Sequence, residues 1–334
     1  MTLQSRAAGA LYGLALGDAL GMPTQMLSRP QILARYGPVL TGFEPADPDH
    51  PLAAGMPAGA ITDDTEQAVL LARLLLDGKG SIDPAELARR LVAWEEDMRA
   101  RGSLDLLGPS TERAVELVLA GTPVDEVGRY GTTNGAAMRI APVGIAVSGT
   151  DPVALVDRVV EASRLTHNTG VALAGAAAVA AAVSAGLDGA SVPQAVEVAV
   201  SAARSAADRG HWVAAADVAE RIVWATALVR GLDEAQVCDR VYTLVGTSLA
   251  TQESVPAAFA VLAACPDDPW RAVLLAASVG GDCDTIAAIA GAVSGACHGV
   301  DAFPADARAT LVRVNPHLDL DATAAALLTL RGRP

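Results

Sequence analysis

Aromatic side chains are scarce in this sequence. Phe, Trp and Tyr together make up 3% of the 334 residues, whereas 51% of the residues are hydrophobic, mainly Ala, Val and Leu. A chain with this much apolar material can bury a large core, and this core must be built from small aliphatic side chains. Strand-favouring runs are also scarce, while good helix formers dominate. The composition predicts an all-α protein, and because no linker divides it, we expect a single domain over residues 1–334.

Positive charge is in short supply as well. The 24 Lys and Arg residues face 38 Asp and Glu residues, which leaves a formal net charge of −14 at pH 7. The corresponding isoelectric point is about 4.7. A uniformly acidic field repels phosphates, which argues against a nucleic-acid backbone or an anionic membrane as the main partner. A phosphate-bearing ligand would need local compensation from metal ions or helix N-termini.

The sequence also lacks cysteine pairs with zinc-ligand spacing and a long apolar run. Its four cysteines are therefore predicted to be free thiols in a reducing cytoplasm. The segment after Arg6 weakly mimics a signal peptide, but Asp18 interrupts it and no A-x-A site follows, so we expect no export. The longest apolar run, residues 171–186, is shorter than the ~20 residues that span a bilayer, which predicts a buried helix.

Apolar residues recur at the three- and four-residue spacing of amphipathic helices along most of the chain. The predicted helices span residues 5–20, 66–78, 83–100, 110–121, 151–165, 170–186, 193–208, 214–230, 233–246, 256–264, 269–278, 285–298, 304–314 and 320–331. The longest connection, residues 36–61, is rich in Pro and Gly. A loop of this length is uncommon inside a compact domain, so we expect it to form a lid or a wall of a site.

Two acidic motifs precede apolar helices: ITDDT, which contains Asp63 and Asp64, and GGDCDT, which contains Asp282 and Asp284. One interpretation is structural, with the first Asp of each pair capping its helix and the second facing solvent. In the other, the two helix starts meet, so that four carboxylates and two or three Thr oxygens converge. That much negative charge is tolerable only around hard cations, and oxygen ligands favour Mg²⁺, Mn²⁺ or Ca²⁺ over zinc. Cys283 is expected to point into packing.

A glycine-punctuated segment, residues 128–144, carries Asn134 and Arg139. Backbone N–H groups in such a loop can hold a phosphate, with Arg139 as the counter-charge. The alternative is an ordinary turn with a buried structural arginine. The segment LLGPST at residues 106–111, which leads into a helix, has a similar anion-binding shape at lower specificity.

Two single residues complete the candidates. Asp18 lies among three glycines in a helical pattern, which predicts close backbone packing with Asp18 bracing neighbouring groups. His167, in the polar turn RLTHNTG, is the histidine best placed for a functional site, and a satisfied structural histidine is the alternative interpretation.

Several of these motifs occur together in one order, namely GALYGLALGDALGMP, ITDDT, GPST, TNGAAMRIAPVG, ESVPAA and GGDCDTIAAIAGAVSGACHG. In this combination the chain resembles the ADP-ribosylglycohydrolase family, of the dinitrogenase reductase-activating type, over residues 7–300. The resemblance implies an all-α fold and a binuclear centre of two Mg²⁺ or Mn²⁺ ions. It further implies cleavage of the glycosidic bond at C1″ of the distal ribose of ADP-ribose, which is attached to a protein or a small molecule.

The resemblance also implies roles for individual residues. The implied metal ligands are Thr62, Asp63, Asp64, Asp282, Asp284 and Thr285. The implied ligand-facing residues are Asp18, Gln25, Asn134, Gly135 and Arg139, to which His167 is added as a candidate. Many relatives have Glu where this chain has Gln25, and Gln cannot accept a proton at pH 7. A metal-site aspartate, Asp63 or Asp284, must therefore act as the general base if the protein is active.

Three functional hypotheses remain open on the sequence. The first is a metal-dependent glycosidase that releases ADP-ribose, or a small-molecule ribosyl hydrolase of the same type. The second, motivated by Gln25, is a pseudoenzyme that binds ADP-ribose without cleaving it. The third is a metallophosphoesterase acting on the pyrophosphate. Nucleic acid is expected only as an ADP-ribosylated substrate, and the oligomeric state stays open.

Overall fold

The computed structural model describes residues 1–102 and 107–331, and within these residues no β-strand is present. Its eighteen α-helices are α1 Leu3–Gly21, α2 Arg29–Tyr36, α3 Asp63–Asp77, α4 Pro84–Ala100, α5 Pro109–Leu119, α6 Val124–Val127, α7 Gly135–Met138, α8 Ala141–Ala146, α9 Pro152–Ser163, α10 Gly170–Leu187, α11 Val192–Ala206, α12 Val218–Leu228, α13 Glu234–Arg240, α14 Thr251–Ala264, α15 Pro269–Ala276, α16 Cys283–His298, α17 Ala305–Val314 and α18 Leu320–Leu328. A π-helical turn spans Val241–Val245 and a 3₁₀ turn spans Val300–Ala302. The all-α prediction is confirmed.

Each helix predicted from periodicity is present, and the differences lie at the ends and in short elements. Both acidic motifs lie closer to their helices than predicted, because α3 begins at Asp63 and α16 at Cys283. The segment at residues 128–144, expected as a loop, contains the short helices α7 and α8. Single-turn helices of this kind are too short to show a periodicity, so the pattern could not predict them.

The centre of the fold is a close contact between α1 and α16. Gly13 and Gly291 face each other so closely that a Cβ atom on Gly291 would lie 1.9 Å from the Gly13 carbonyl oxygen. A Cβ on Gly17 would lie 2.1 Å from the Ala287 carbonyl oxygen, and one on Gly21 would lie 2.3 Å from the Asp284 Cα. We call this contact the glycine seam. It fixes the start of α16, and with it the GGDCDT motif, against the C-terminal end of α1.

One hydrophobic core connects the helices from Ala7 to Leu330. Helix α10 lies within it and is buried along nearly its whole length. In length and composition this helix could cross a membrane, since its 18 residues have a mean hydropathy of 1.9. However, 94% of this segment is buried inside the protein. A mostly buried core helix passes the same test, so the prediction of a buried helix at residues 171–186 is confirmed.

The long loop before α3 packs against the end of α1. Ala46, Ala53 and Ala60 form a small apolar cluster with Met22. The buried His50 side chain lies 2.9 Å, through Nε2, from the backbone oxygen of Gln25. These contacts hold the loop against the protein, and its residue Leu52 lines the cleft described below, so the loop forms part of the wall of that cleft.

Candidate functional site

The start of α3 is organised by Asp18 of α1. Thr62 is the N-cap residue of α3, and its backbone N–H donates to Asp18 Oδ1 over 3.0 Å while its hydroxyl donates to the same oxygen over 2.7 Å. The Thr65 N–H donates to Asp18 Oδ2 over 3.1 Å, and the Thr65 hydroxyl donates to it as well. Asp18 is fully buried. It braces ITDDT, as its position among glycines predicted, and it lies behind the site.

The start of α16 is organised by a sharp turn at two glycines. Gly280 and Gly281 have φ of 97° and 72°, and a Cβ on Gly281 would lie 2.3 Å from the Thr247 carbonyl oxygen. Only glycine fits such a backbone without strain. Asp282 occupies the N-cap position of α16 but makes no side-chain capping bond, and its carboxylate instead accepts from Asn134 Nδ2. The capping interpretation of Asp282 is therefore wrong.

The two acidic motifs meet beside the C-terminal end of α1. The Thr285 hydroxyl donates to Asp64 Oδ2 over 3.2 Å, and this bond joins residues 221 positions apart in the sequence. Asp64 and Asp284 are 1% and 3% exposed, so the interpretation that they face solvent is also wrong. Helices α1, α3 and α16 together contribute a group of carboxylates, which we call the acidic cluster: Asp18, Asp63, Asp64, Asp282 and Asp284.

Burial and mutual repulsion disfavour negative charge in this cluster. Burial raises the pKa of Asp64 well above its usual range, and the negative charges of Asp284 and Asp63 raise it further. Burial likewise raises the pKa of Asp18 to about 6, against the lowering effect of its bonds from Thr62 and Thr65. The pKa of Asp282 is raised by burial to about 6, although the bond from Asn134 lowers it. The cluster would bind a cation readily, since a cation offsets this repulsion.

The donor set fits a hard divalent cation. Asp64 Oδ1 is buried and makes no hydrogen bond, which is costly for a carboxylate oxygen unless another group binds it. The neighbouring donors are carboxylate and hydroxyl oxygens, the ligands that Mg²⁺ and Mn²⁺ prefer. Among residues 1–102 and 107–331, however, no three His, Cys, Asp or Glu side chains are arranged to hold an ion as they stand. The metal ligands therefore stay a prediction.

A cleft of about 260 Å³ opens directly above the acidic cluster. Its lining includes seven residues that the sequence or the resemblance predicted: Gln25, Asp63, Asn134, Gly135, Asp282, Asp284 and Thr285. Met26, next to Gln25, lines it as well. The rest of the lining is Leu52, Leu107, Gly108, Pro109, Thr111, Thr133, Met138 and Leu249. The segment GPST thus contributes to the cleft wall, while Leu106 of LLGPST lies outside the described residues. The cleft combines an acidic floor with a largely apolar rim.

Gln25 is held rigidly at this cleft. Its backbone N–H donates to the Gly21 carbonyl over 2.8 Å, and the next residue, Met26, donates to the Gly281 carbonyl over 2.8 Å. Met26 has φ of 60°, which is uncommon for a residue other than glycine. The Gln25 side chain is buried, and its Nε2 has no hydrogen-bond partner. A fixed, unsatisfied amide on the cleft wall is suited to contact a ligand.

Arg139 and His167 lie behind the cleft wall. A Cβ on the cleft-lining Gly135 would lie 3.0 Å from His167 Cε1, so the imidazole is directly beneath this glycine. Burial and the charge of Arg139 lower the pKa of His167 well below its usual range, which keeps the ring neutral. Arg139 is 1% exposed and donates to side chains of the interior. This placement matches the alternative of a buried structural arginine.

Some residues of the site were missed by sequence reasoning. Gln67 lies one helical turn after Asp63 and donates to its Oδ2 over 2.9 Å. The i,i+4 spacing was the signal that could have identified it. Leu249 lines the cleft from a distant segment and carried no signal, whereas Thr133 lies within the motif TNGAAMRIAPVG but was not singled out. Cys283 behaves as expected, because it is fully buried in the core with its pKa raised by burial.

Comparison with known proteins accounts for this arrangement. The family model described as ADP-ribosylglycohydrolase matches residues 1–334. The chain is 38% identical over 327 residues to the uncharacterized protein YegU of Escherichia coli (strain K12), covering 98% of this chain and 97% of that protein. It is 30% identical over 328 residues to human ADP-ribosylhydrolase ARH3, covering 90% of this chain and 87% of that protein.

A solved structure shows the same fold. It is titled ADP-ribosylglycohydrolase-related protein complex, and it matches with a TM-score of 0.68 and 25% identity over 98% of both chains. The full-length family match and the human relative named as a hydrolase agree with the order of motifs along the sequence. The chain therefore belongs to the ADP-ribosylglycohydrolase family and is an enzyme of the glycosidase type.

Proposed function

We propose that this protein is a metal-dependent hydrolase that cleaves the C1″ glycosidic bond of ADP-ribosylated or related ribosylated substrates and releases ADP-ribose. The observation that carries the proposal is the meeting of ITDDT and GGDCDT, through the bond from Thr285 to Asp64, at the floor of a cleft. The family and the human relative named as a hydrolase support this reaction class. Two Mg²⁺ or Mn²⁺ ions are the proposed cofactors.

The proposed metal ligands are the oxygens of the two helix starts, namely Thr62, Asp63, Asp64, Asp282, Asp284 and Thr285. When bound, the ions would supply Lewis-acid polarisation and orient the ribose hydroxyls. The chain itself prepares this site: Asp18 holds the start of α3, and Asn134 holds the Asp282 carboxylate. Both supports are buried, so the ligand positions are set before a substrate arrives.

Proton transfer is assigned to carboxylates of the cleft. Asp63 and Asp284 both line it, and either can accept the proton of an attacking water. The anomeric carbon becomes oxocarbenium-like as the glycosidic bond breaks, and the negative floor stabilises that positive charge. Gln25 is an amide and takes no part in acid–base chemistry. Its unsatisfied Nε2 is available to donate a hydrogen bond to a substrate oxygen.

The cleft accommodates only part of such a substrate. Its volume of about 260 Å³ lies below the roughly 300–1,000 Å³ of sites that enclose drug-sized ligands. We infer that the distal ribose enters the cleft while the remainder of the ADP-ribosyl group and the acceptor extend over its rim. The acceptor can belong to a protein or to a small molecule.

A second candidate function is binding of ADP-ribose without cleavage. The observation that favours it is Gln25, an amide at a cleft position where many relatives carry Glu. In that case Gln25→Glu should produce a large gain of hydrolysis. Little change would mean that the wild-type chain already has its base among the aspartates.

The test is incubation of purified protein with Mg²⁺ or Mn²⁺ and separate arginine-, serine- and nucleic-acid-linked ADP-ribose, with products identified by mass. Metal-dependent release of intact ADP-ribose supports the glycosidase. Tight binding of ADP-ribose without release supports the binding protein, and AMP with ribose phosphate would indicate pyrophosphate cleavage. Asp284→Asn should abolish release, whereas the matched control Asp301→Asn, which changes a highly exposed carboxylate, should not.

A further inference from the structure

A buried cation lies behind the acidic cluster. Arg139 is among the largest fully buried side chains of the protein. No ion pair within 4.0 Å is found for it in the described part of the chain, residues 1–102 and 107–331. Burial lowers the pKa of Arg139 to about 10, and the negative charge of Asp63 opposes this effect. Burying a charge is costly unless it is paired and hydrogen-bonded, so the hydrogen bonds of this guanidinium must offset the cost of its burial.

Gln67 connects Arg139 to the acidic cluster. Arg139 Nη1 donates to Gln67 Oε1 over 2.9 Å, and Gln67 Nε2 donates to Asp63 Oδ2 over 2.9 Å. Arginine can only donate and an ionised carboxylate can only accept, so the amide between them has one permitted orientation. Gln67 is fully buried, so its amide is shielded from bulk solvent.

This arrangement acts on a carboxylate that lines the cleft. Asp63 has one oxygen committed to Gln67, which restricts rotation of its carboxylate group. Gln67 lies between Asp63 and the guanidinium, and its amide carries the contact from Arg139 to the carboxylate. The orientation of the Asp63 carboxylate is therefore restrained from behind the cleft.

A second series of contacts connects Arg139 to Thr133 in the cleft wall. Arg139 Nη2 donates to the Thr166 hydroxyl over 2.6 Å, and this hydroxyl lies 2.7 Å from His167 Nδ1. His167 Nε2 lies 3.0 Å from the hydroxyl of Thr133, which lines the cleft. Because Thr166 takes no part in the contact to Asp63, the contacts through Gln67 and those through Thr166 can be tested separately.

We propose that Gln67, held in one orientation by Arg139, is a positioning residue that sets the Asp63 carboxylate for metal binding. This inference rests on the proposed function, since it assumes that Asp63 is a metal ligand. Hydrogen-bonded partners of ligating carboxylates support metal affinity, and their loss commonly costs about 10–100-fold. Gln67 touches neither the cleft nor a substrate and acts only through Asp63.

The test compares Gln67→Met with Thr166→Val. Each substitution removes one hydrogen-bond acceptor of Arg139 without a change of charge, but only Gln67→Met removes the donor to Asp63. Both variants should lower the melting temperature in the presence of a chelator. Only Gln67→Met should weaken Mn²⁺ affinity, by about 10–100-fold in titration calorimetry. If Gln67→Met does not fold, Gln67→Asn, which is one methylene too short to keep both contacts, should show the same loss.

Two results would overturn the proposal: Mn²⁺ affinity of the folded Gln67 variant within twofold of wild type, or equal weakening by Gln67→Met and Thr166→Val. Failure of the proposed function looks different. Wild-type protein that binds Mn²⁺ but cleaves no ribosylated substrate leaves the positioning role intact, because that role is measured by affinity and not by turnover. Wild-type protein that binds no Mn²⁺ would overturn both.

Discussion

The glycine seam makes a prediction about a single methyl group. A Cβ added to Gly21 would lie 2.3 Å from the Asp284 Cα, 2.5 Å from the Asp284 nitrogen and 2.7 Å from the Cys283 carbonyl carbon. All three contacts are to backbone, which cannot rotate away as a flexible side chain can. Ordinary van der Waals contact begins near 3.4 Å, so Gly21→Ala must push the start of α16 away by roughly 1 Å.

Two energetic effects of this change oppose each other. Overpacking a well-packed interface costs about 1–3 kcal/mol, and sometimes more. Ala is favoured over Gly inside a helix by about 1 kcal/mol, but Gly21 is the last residue of α1, where this gain is smaller. We therefore expect Gly21→Ala to lower the free energy of unfolding by about 1–3 kcal/mol. Since the displaced backbone belongs to Asp284, we also expect Mn²⁺ affinity to fall at least tenfold.

Gly9→Ala is the matched control. Its Cβ would lie 2.3 Å from the Gly295 carbonyl oxygen, at the other end of the same seam. Gly9 and Gly21 are twelve positions apart, which corresponds to about 18 Å of helix, so this collision is remote from the acidic cluster. Gly9→Ala should therefore cost similar stability in denaturant titration while Mn²⁺ affinity in calorimetry stays near wild type. Equal losses of affinity in both variants, or unchanged affinity in Gly21→Ala, would refute the reasoning.

Three further predictions concern the metal and substrate sites. Thr285→Val removes the hydroxyl that joins the two motifs and should weaken Mn²⁺ binding. The control Thr310→Val, on α17, should leave Mn²⁺ affinity unchanged. Equal affinities of the two variants would show that the 3.2 Å bond to Asp64 is unimportant. The pKa values of Asp18 and Asp282 are raised from 3.8 to about 6, so in chelator the folded state binds more protons than the unfolded state between these values. The stability that these two groups contribute is thus fully present below pH 3.8 and lost as pH rises through 6, and saturating Mn²⁺ should restore it. Denaturant titrations at pH 5 and pH 7.5 check this, and Asp282→Asn should reduce the pH dependence. Gln25→Ala removes a buried amide on the cleft wall. In calorimetry it should weaken ADP-ribose binding more than it changes Mn²⁺ affinity. A larger change in Mn²⁺ affinity would place Gln25 at the metal site and not at the substrate.

Much of the fold is determined by local sequence. Helices such as α3 and α11 have an apolar face at helical spacing, and their caps match the sequence, as in the Ser191 and Gln194 capping box of α11. Helix α10 has no such face, because it is apolar on all sides, and that too is typical of a buried helix. The short helices α7 and α8 and the inclusion of Pro256 inside α14 depend on packing, which a local pattern does not contain.

The candidate site, like the fold, could be predicted from the sequence only in part. The sequence identified both acidic motifs, and the resemblance assigned them to one centre. Asp18 and Arg139 were expected as ligand-facing residues in the resemblance, but both are buried behind the cleft, where each supports a motif from the interior. Direct ligand contact stays a prediction for Gln25, Asn134 and Gly135, which do line the cleft.

The sequence by itself determined an all-α, acidic, aromatic-poor protein with two Asp-rich helix starts, because composition and helical periodicity are local properties. Tertiary structure decided which side chains share a surface. The bond from Thr62 to Asp18 spans 44 positions, and the bond from Thr285 to Asp64 spans 221. The first contact forms only when α3 packs against α1, and the second only when α16 does so as well, where the glycines of α1 allow the close backbone approach that places Asp284 beside Gly21.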